Sequence, residues 1–593
     1  MSSKTNISAS TLEPIKLTHE NGGGFWRVLL FSMWLCCCLA APLLPRQAWA
    51  EGVLVIYADS GLVNGWQNWS WDAAIDFAST DYVHTGSSSI KVGYVTAWAG
   101  FRLNNNPFCS TAYTSLSFWV NGGTQNGRNI RVQGLINNAQ QQIVSLDNYI
   151  EGGSVAAGAW RKVIIPLADL GVANNCSMTG FWLQEGGGGA QTPFYVDDIS
   201  LLGLPPPASV NLSIDASQVV RVVDDRVFAV NAAIWDAALN TPETIALLQT
   251  VDNKILRFPG GSAANSYHWQ TNISDGNNWQ WASNFDAFAN VARGSGAQAF
   301  ITVNYGSGTP QEAAEWVRYS NVTKGFGFKY WEIGNENYGS WERDIQDRPY
   351  DPYRYAQRAK DYIDQMKAVD PTIKIGVVAV EGEDAYANYT DHPATNPRTG
   401  IAHNGWTPVL LATLKSLNVT PDFLIYHRYA QEPGAESDAL LLQEAKGWQS
   451  TAAGLRQQLS DYLDNPGANV ELVATENNSV SHNPGKQTTS LVSGLFLADS
   501  IGNIMQTEFK AMVWWSLRNG QETGNNNSAG LYGWRPYGDY GILSATNELY
   551  PTYYALKLMK GFARGGDQTV TATSDYDLLS VFAAKRSNGK LSL

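Results

Sequence analysis

The sequence has few charged residues, and acidic residues outnumber basic ones. Charged residues make up 16% of the 593, and 40 Lys and Arg stand against 53 Asp and Glu, for a formal net charge of -13. No basic stretch stands out that could grip phosphates, so we expect no nucleic-acid partner. Among the histidines, His268 and His403 lack the partner spacing of a metal site, so we expect no cofactor for catalysis.

The N-terminal apolar run, Val28 to Leu44, is short for a membrane span, which requires about 18 residues or more. A polar leader precedes it, and Pro45 to Ala50 ends in an A-x-A cleavage pattern. We therefore expect residues 1–50 to be a signal peptide, with no membrane contact after cleavage. The protein would then be secreted, periplasmic or held at the cell surface. An uncleaved anchor is the alternative interpretation.

Cysteine is scarce, and three of the five cysteines lie within the apolar run at positions 36 to 38. Cleavage would leave Cys109 and Cys176 alone. Two cysteines in one exported module favour a disulfide between them, and two buried free thiols are the alternative.

Residues 51–204 consist of short alternating runs separated by glycine and asparagine, without helical periodicity, which predicts an all-β sandwich. Residues 205–210 begin with three prolines, which favour an extended linker. Residues 227–565 then alternate strand-like and helix-like segments, and eight such units predict a (β/α)8 TIM barrel. A doubly wound open sheet is the alternative, although no glycine-rich phosphate loop follows the first strand. The predicted strands are Val227–Ile234, Lys254–Arg257, Gln298–Asn304, Tyr330–Ile333, Lys374–Val380, Asp422–His427, Val470–Thr475 and Lys510–Trp515.

Two further β-rich segments flank the barrel. Residues 211–226 precede its first strand, and residues 566–593 follow its last helix. We expect both to form a small C-terminal β-sandwich packed on the barrel. Because the sequence stops in what reads as mid-hairpin, we expect this sandwich to be truncated.

Two predicted barrel strands end in glutamate. Glu336 follows strand four in the stretch YWEIGNENYGSW, and Glu476 ends strand seven in VELVATEN. The carboxyl ends of barrel strands are where barrel enzymes place their chemistry. Two carboxylates there predict cleavage of a glycosidic bond, in which one group protonates the leaving oxygen and the other attacks or stabilises the sugar. Alternation along strand four makes Glu332 a buried bracing residue.

The order of motifs in the first module resembles the jelly-roll carbohydrate-binding modules of secreted glycanases, in Phe181-Trp182-Leu183 and in the last strand, Phe194 to Ile199. The resemblance implies a structural calcium held by Asp198 and Asp59. Several tryptophans near the start of the module could form a face that stacks on sugar rings: Trp66, Trp69, Trp71 and Trp98.

The barrel segment resembles the α-L-arabinofuranosidases of glycoside hydrolase family 51 and their relatives with catalytic glutamates on strands four and seven. The residues that carry this likeness occur in order as LRFPGG at 256–261, VNYGSGT at 303–309, YWEIGNE at 330–336 and YHRY at 426–429. The likeness covers roughly Asn211 to Phe562.

The resemblance implies that Glu336 is the general acid/base and Glu476 the nucleophile, with retention of anomeric configuration. It further implies that Glu336 carries a raised pKa and that Asn335 contacts the sugar 2-hydroxyl. The remaining substrate-site residues it implies are Arg257, which braces the nucleophile, Asn304, His427, Tyr429 and Trp515, the last as an apolar floor.

The sequence departs from the arabinofuranosidases at two places. Strand one ends in Asn231-Ala232-Ala233-Ile234-Trp235-Asp236 instead of carrying a sugar-contacting glutamate, and Asn477-Asn478 follow Glu476. The leading hypothesis is a secreted retaining glycoside hydrolase, most similar to α-L-arabinofuranosidases, with polysaccharide or oligosaccharide as substrate. The alternatives are an endo-β-1,4-glycanase acting on glucan, xyloglucan or xylan, and a non-catalytic carbohydrate-binding protein.

Overall fold

The computed structural model describes residues 53–59, 61–203, 209–528 and 530–593. The expected signal peptide at 1–50 and most of the linker at 205–210 lie outside the described residues. Within these ranges, no helix is both long enough and apolar enough to cross a membrane.

The first module is formed by two antiparallel sheets packed face to face. One sheet contains, in spatial order, Trp160–Pro166, Tyr113–Asn121, Phe194–Gly203, Ser89–Tyr94 and Ala73–Ser79, with Val53–Val55 paired to Phe194–Gly203. The other contains Ala139–Ser145, Ile130–Ile136, Met178–Glu185, Gly100–Phe108 and Gln67–Asn68. Apolar side chains of both sheets meet in one buried core, as strand alternation predicts.

The second module is a closed barrel of eight parallel strands, and it confirms the predicted fold class. Its strands follow one another in chain order around the barrel: Ala229–Asn231, Ile255–Phe258, Gln298–Val303, Tyr330–Ile333, Lys374–Val378, Phe423–Tyr429, Glu471–Asn478 and Phe509–Trp514. Each predicted strand overlaps the strand observed at that place. Parallel strands require a crossover between them, and helices supply it.

Helices surround the barrel at Pro242–Val251, Phe285–Ser295, Pro310–Val317, Pro352–Val369, Trp406–Ser416, Asp438–Glu444, Trp448–Leu463, Leu491–Ile504 and Pro551–Phe562. Several begin with a side-chain cap followed by proline; the Thr309 hydroxyl, for example, accepts a hydrogen bond from the Glu312 backbone N–H at 3.1 Å. The helices Asp438–Glu444 and Trp448–Leu463 are separated by a short 3-10 turn at Ala445–Gly447, and Arg428 Nη2 donates to the Glu444 carbonyl at 2.7 Å.

The two segments that flank the barrel pair with each other. Leu212–Val222 lies antiparallel to Gln568–Ser574, and Ala583–Lys585 and Leu591–Ser592 extend the same sheet to four strands. The structure therefore has a single sheet here, where the sequence predicted a two-layered sandwich.

Candidate active site

A buried arginine lies at the centre of the barrel mouth. Arg257, on the second strand, is fully buried, and its Nε donates to Glu332 Oε2 at 2.9 Å. Its Nη1 donates to Glu476 Oε1 at 2.7 Å and to Asn231 Oδ1 at 3.1 Å. Its Nη2 donates to Asn335 Oδ1 at 2.9 Å. Burying a guanidinium is costly unless its donors are satisfied, and two carboxylates and two amide oxygens satisfy it here.

Glu336 lies on a turn whose backbone conformation is energetically unfavourable. The fourth strand ends at Ile333, Gly334 has a φ of 72°, and Glu336 itself has a φ of 43°. A Cβ at Gly334 would lie 2.1 Å from Asn337 Oδ1, so this position requires glycine. A glutamate in the left-handed region costs of order 1 kcal/mol or more, and such residues concentrate at functional sites.

Both oxygens of Glu336 accept hydrogen bonds from side chains. His427 Nδ1 lies 2.8 Å from Glu336 Oε1, and Trp341 Nε1 donates to Oε2 at 2.8 Å. Trp341 lies in the loop that follows the fourth strand, five residues after the glutamate it contacts. The carboxylate is therefore held between a strand six residue and its own loop.

Glu476 is also held by contacts with neighbouring side chains. Besides the Arg257 contact, its Oε2 accepts a hydrogen bond from the Tyr429 hydroxyl at 2.5 Å. His427 Nδ1 lies 3.6 Å from the same oxygen, and His427 Nε2 lies 3.0 Å from Thr475 Oγ1. His427 and Glu476 are direct neighbours in the register of strands six and seven, which places the imidazole between the two carboxylates.

The separation of the two carboxylates limits the reactions they can perform. One oxygen of Glu336, one oxygen of Glu476 and one His427 nitrogen all lie within 4.8 Å of one another. Retaining glycosidases hold their two carboxyl groups about 5–5.5 Å apart, and inverting enzymes hold them about 6.5–9.5 Å apart to admit a water. The retaining mechanism that the resemblance implies stays a prediction. Two carboxylates and an imidazole are also a ligand set for a metal ion, and the expected absence of a catalytic cofactor stays a prediction.

The pKa of Glu336 differs from the expected direction. Burial acts to raise this pKa, but hydrogen bonding and the charge of His427 outweigh burial and hold it below the ordinary value. The pKa of His427 is raised: burial acts to lower it, and the neighbouring Glu476 and Glu336 carboxylates overcome that effect. The expectation of a raised pKa for Glu336 is therefore wrong for this structure, because it did not include the imidazole beside it.

Glu342 is another buried carboxyl, which contacts Asn335 and was not identified from the sequence. It is 2% exposed and accepts hydrogen bonds from Asn335 Nδ2 at 3.0 Å, Asn265 Nδ2 at 2.7 Å and Ser262 Oγ at 2.6 Å. Burial raises the pKa of Glu342 to about 7. Because Arg257 holds the oxygen of the Asn335 amide and Glu342 holds its nitrogen, the amide orientation is determined. The position of Glu342 directly after the stretch that contains Glu336 is the sequence signal for it.

Asn304 does not join this group. Its Nδ2 donates to the Tyr267 carbonyl at 3.3 Å and to Ser307 Oγ at 3.1 Å, and its Oδ1 accepts from the Ser307 backbone N–H at 2.9 Å. These bonds close the loop after the third strand, and the substrate contact expected of Asn304 stays a prediction.

Trp515 follows the eighth strand, and its backbone N–H donates to the carbonyl of Asn477, the residue after Glu476, at 3.1 Å; its role as an apolar floor stays a prediction. It is 9% exposed and packs with Trp235, Val480 and Tyr540. A Cβ at Gly261 would come within 2.8 Å of its ring, so the loop after the second strand also touches it.

The four tryptophans predicted to form a sugar-stacking face differ in exposure. Trp69 and Trp98 are 47% and 51% exposed, and Trp71 is partly buried. Trp66 is 5% exposed and packs against Phe108 and Phe181 in the module core. The expectation that Trp66 belongs to an exposed sugar-stacking face is therefore wrong, because its ring fills the space between the two sheets.

The other residues predicted in this module hold loops together. Cys109 and Cys176 form a disulfide with an S–S distance of 2.07 Å. Asp59 Oδ1 accepts from the Ser87 backbone N–H at 2.5 Å, and Asp198 Oδ2 lies 2.6 Å from His84 Nδ1. The structural calcium that the resemblance implies at these two carboxylates stays a prediction.

Comparisons with known proteins find similarity to arabinofuranosidases. The chain matches no protein-family model. It is 25% identical over 175 residues to a protein of Aspergillus fumigatus named probable alpha-L-arabinofuranosidase C, a match that covers 25% of this chain and 34% of that relative. Alpha-L-arabinofuranosidase C of Emericella nidulans is 24% identical over the same length and coverage. The match thus spans about a third of the length of these curated relatives.

Solved structures extend the similarity of fold. The arabinose complex of alpha-L-arabinofuranosidase from Thermotoga maritima is 19% identical, with 65% of this chain and 84% of that chain covered and a TM-score of 0.49. The bifunctional glucanase-xylanase CelM2 from a metagenome library is 18% identical, with 65% and 86% covered and a TM-score of 0.45. The proteins to which the chain is similar thus include enzymes named as arabinofuranosidases and one named as a glucanase-xylanase.

Proposed function

We propose that this protein is a retaining glycoside hydrolase that acts on polysaccharide or oligosaccharide, with α-L-arabinofuranosidase as the nearest activity. The observation that carries the proposal is the pair Glu336 and Glu476, which extend from strands four and seven with oxygens within 4.8 Å. The two carboxylates have different partners, as a nucleophile and an acid require.

Glu476 has the surroundings of a nucleophile. The buried guanidinium of Arg257 donates to one of its oxygens, and the Tyr429 hydroxyl orients the other. In the proposed reaction one Glu476 oxygen attacks the anomeric carbon while the bond to the leaving oxygen breaks. The product of this step is a glycosyl-enzyme ester.

Glu336 would supply the proton to the leaving oxygen. Its lowered pKa is compatible with this role because His427 Nδ1 lies 2.8 Å away and can pass a proton to it along that hydrogen bond. We therefore propose that Glu336 and His427 share one proton and act together as the acid. In the second step the ionised Glu336 removes a proton from water, which attacks the anomeric carbon and releases Glu476.

The test is to replace each glutamate and vary the leaving group. Glu476→Ala should lower turnover by several orders of magnitude on every substrate. Glu336→Ala should do so on natural glycosides, yet spare the first step with aryl glycosides whose leaving group needs no proton. Glu315→Ala, on the outward face of the helix Pro310–Val317, is the control. Near-normal turnover in either active-site variant would refute the proposal.

An endo-acting glycanase is the second candidate, and exposed aromatic rings on both sides of the site favour it. Trp279, in the loop after strand two, and Trp341, after strand four, are 50% and 54% exposed. Product size over time on arabinan, arabinoxylan, xyloglucan and β-glucan separates the two. Free arabinose without a fall in viscosity indicates exo action, and oligosaccharides with an early fall indicate endo action. A non-catalytic binding protein would release no product.

The N-terminal leader and the first module support two further proposals about the substrate and its location. The apolar run with its A-x-A pattern favours export, so the polymer would be met outside the cytoplasm. The exposed rings of Trp69 and Trp98 favour sugar binding by the module. Its role would be to hold the barrel on an insoluble polymer.

A further inference from the structure

Four tryptophans lead from the two glutamates toward solvent. We call them the tryptophan row: Trp515, Trp235, Trp281 and Trp279. Neighbouring ring centroids are 6.3 Å, 6.5 Å and 4.6 Å apart. The four residues come from the loops after strands eight, one and two, which are adjacent around the barrel.

Exposure increases along the tryptophan row. Trp515 is 9% exposed, Trp235 and Trp281 are half-buried, and Trp279 is 50% exposed. A cluster whose purpose was stability would bury its outermost ring. Large exposed aromatic rings that continue from a catalytic site are typical of a ligand surface, because they present an apolar face to the ligand.

The loop that carries the outer two rings is held in place. Trp281 Nε1 donates to Ser274 Oγ at 2.9 Å, and Asn272 Nδ2 donates to the Trp281 carbonyl at 2.7 Å. Asn272 Oδ1 accepts in turn from the Tyr267 hydroxyl at 3.0 Å. A surface fixed before the ligand arrives loses less entropy on binding than one that must be ordered.

A buried hydroxyl without a partner lies at the inner end of the row. Tyr540 is 5% exposed and packs with Trp515 and Trp235, and its hydroxyl has no hydrogen-bond partner among the described residues. Such a group costs about 1–3 kcal/mol, and most buried hydroxyls in folded proteins are paired. A ligand with hydroxyl groups would supply the missing partner.

We propose that the tryptophan row and the Tyr540 hydroxyl form subsites for a saccharide chain, binding sugar residues beyond the one at the catalytic pair. The inference rests on the proposed glycosidase function and adds the direction in which the substrate extends. Indole and phenol side chains carry no charge at neutral pH, so the surface fits a neutral sugar chain. C–H faces of the sugars would stack on the indoles, and one sugar hydroxyl would bond to Tyr540.

The test compares chain lengths. For the polysaccharide that the protein cleaves, kcat/KM is measured on its oligosaccharides of increasing length and on an aryl glycoside that fills only the catalytic position. We expect kcat/KM to rise with length in the native protein. Trp279→Ala should lower it about tenfold on the longest substrate and leave the aryl glycoside within about twofold. Tyr554→Ala, which removes a 54% exposed ring from the outer helix Pro551–Phe562, is the matched control.

Tyr540→Phe provides a second measurement. Removing a hydroxyl that has no partner should leave the thermal midpoint unchanged or raise it, while kcat/KM on oligosaccharides falls about fivefold. A lowered midpoint, or unchanged kinetics, would overturn the role of Tyr540. Equal losses on short and long substrates for Trp279→Ala, or no dependence on length in the native protein, would overturn the role of the row.

Failure of the proposed function gives a different result. If the native protein cleaves no substrate, calorimetric titration with neutral oligosaccharides of arabinan, arabinoxylan, xyloglucan and β-glucan still tests the surface. Binding that weakens in Trp279→Ala but not in Tyr554→Ala supports the row without turnover. Equal binding by all three proteins, or none, rejects it.

Discussion

Glu342 makes the stability of the barrel depend on pH in a way that one substitution can isolate. Burial raises its pKa from the ordinary value of 4.5 to about 7, so the folded protein binds this proton more tightly than the unfolded chain. Its contribution to the free energy of unfolding is therefore fully present below about pH 4.5 and is lost as the pH rises to about 7. The difference between the two pKa values corresponds to about 3 kcal/mol. Because Glu342 is only 2% exposed, screening by solvent reduces this free energy little.

The measurement is urea unfolding of the native protein and Glu342→Gln at about pH 4 and about pH 8. Glutamine keeps the shape of the side chain but cannot ionise. We expect the advantage of the native protein over the variant to be about 3 kcal/mol greater at the lower pH. An advantage that stays constant, or grows with pH, would refute the reasoning, since the three donors around Glu342 would then be stabilising its ionised form.

Asp539 provides a matched comparison. It is fully buried, and burial raises its pKa from 3.8 to about 6. Asp539→Asn should show a change of similar size, but in the lower window between about pH 4 and about pH 6. The two pH windows therefore distinguish the contribution of Asp539 from that of Glu342.

Two other changes test the site and the first module. In His427→Gln the alkaline limb of the kcat/KM pH profile should move to lower pH, because the proton that Glu336 and His427 would share is then held by Glu336 alone; a limb that stays in place or moves to higher pH would contradict the shared proton. Replacing Trp69 and Trp98 by alanine should reduce adsorption to insoluble polysaccharide and leave turnover of a soluble aryl glycoside unchanged. Undiminished adsorption would indicate that another face of the protein binds the polysaccharide.

The barrel could be predicted strand by strand because each strand carries its own local signal. A short apolar run that ends in glycine or a polar turn, followed by a helix with its cap, is visible in the sequence before any contact is known. A contact such as that of Arg428 with the Glu444 carbonyl joins two separate segments, so no local pattern in the sequence reveals it. A polar residue at a strand end, such as Asn304, can face the site or close its own loop, and the bonds to Tyr267 and Ser307 became visible only in the tertiary structure.

The sequence by itself determined the order of strands and the two glutamates at the ends of strands four and seven, since periodicity and turn residues are local properties of the chain. The tertiary structure alone decided what surrounds those glutamates. Arg257 reaches Glu476 across 219 positions, and His427 reaches Glu336 across 91. Closure of the barrel creates these contacts by bringing strand ends together, and the contacts set the charge, the pKa and the orientation of each group.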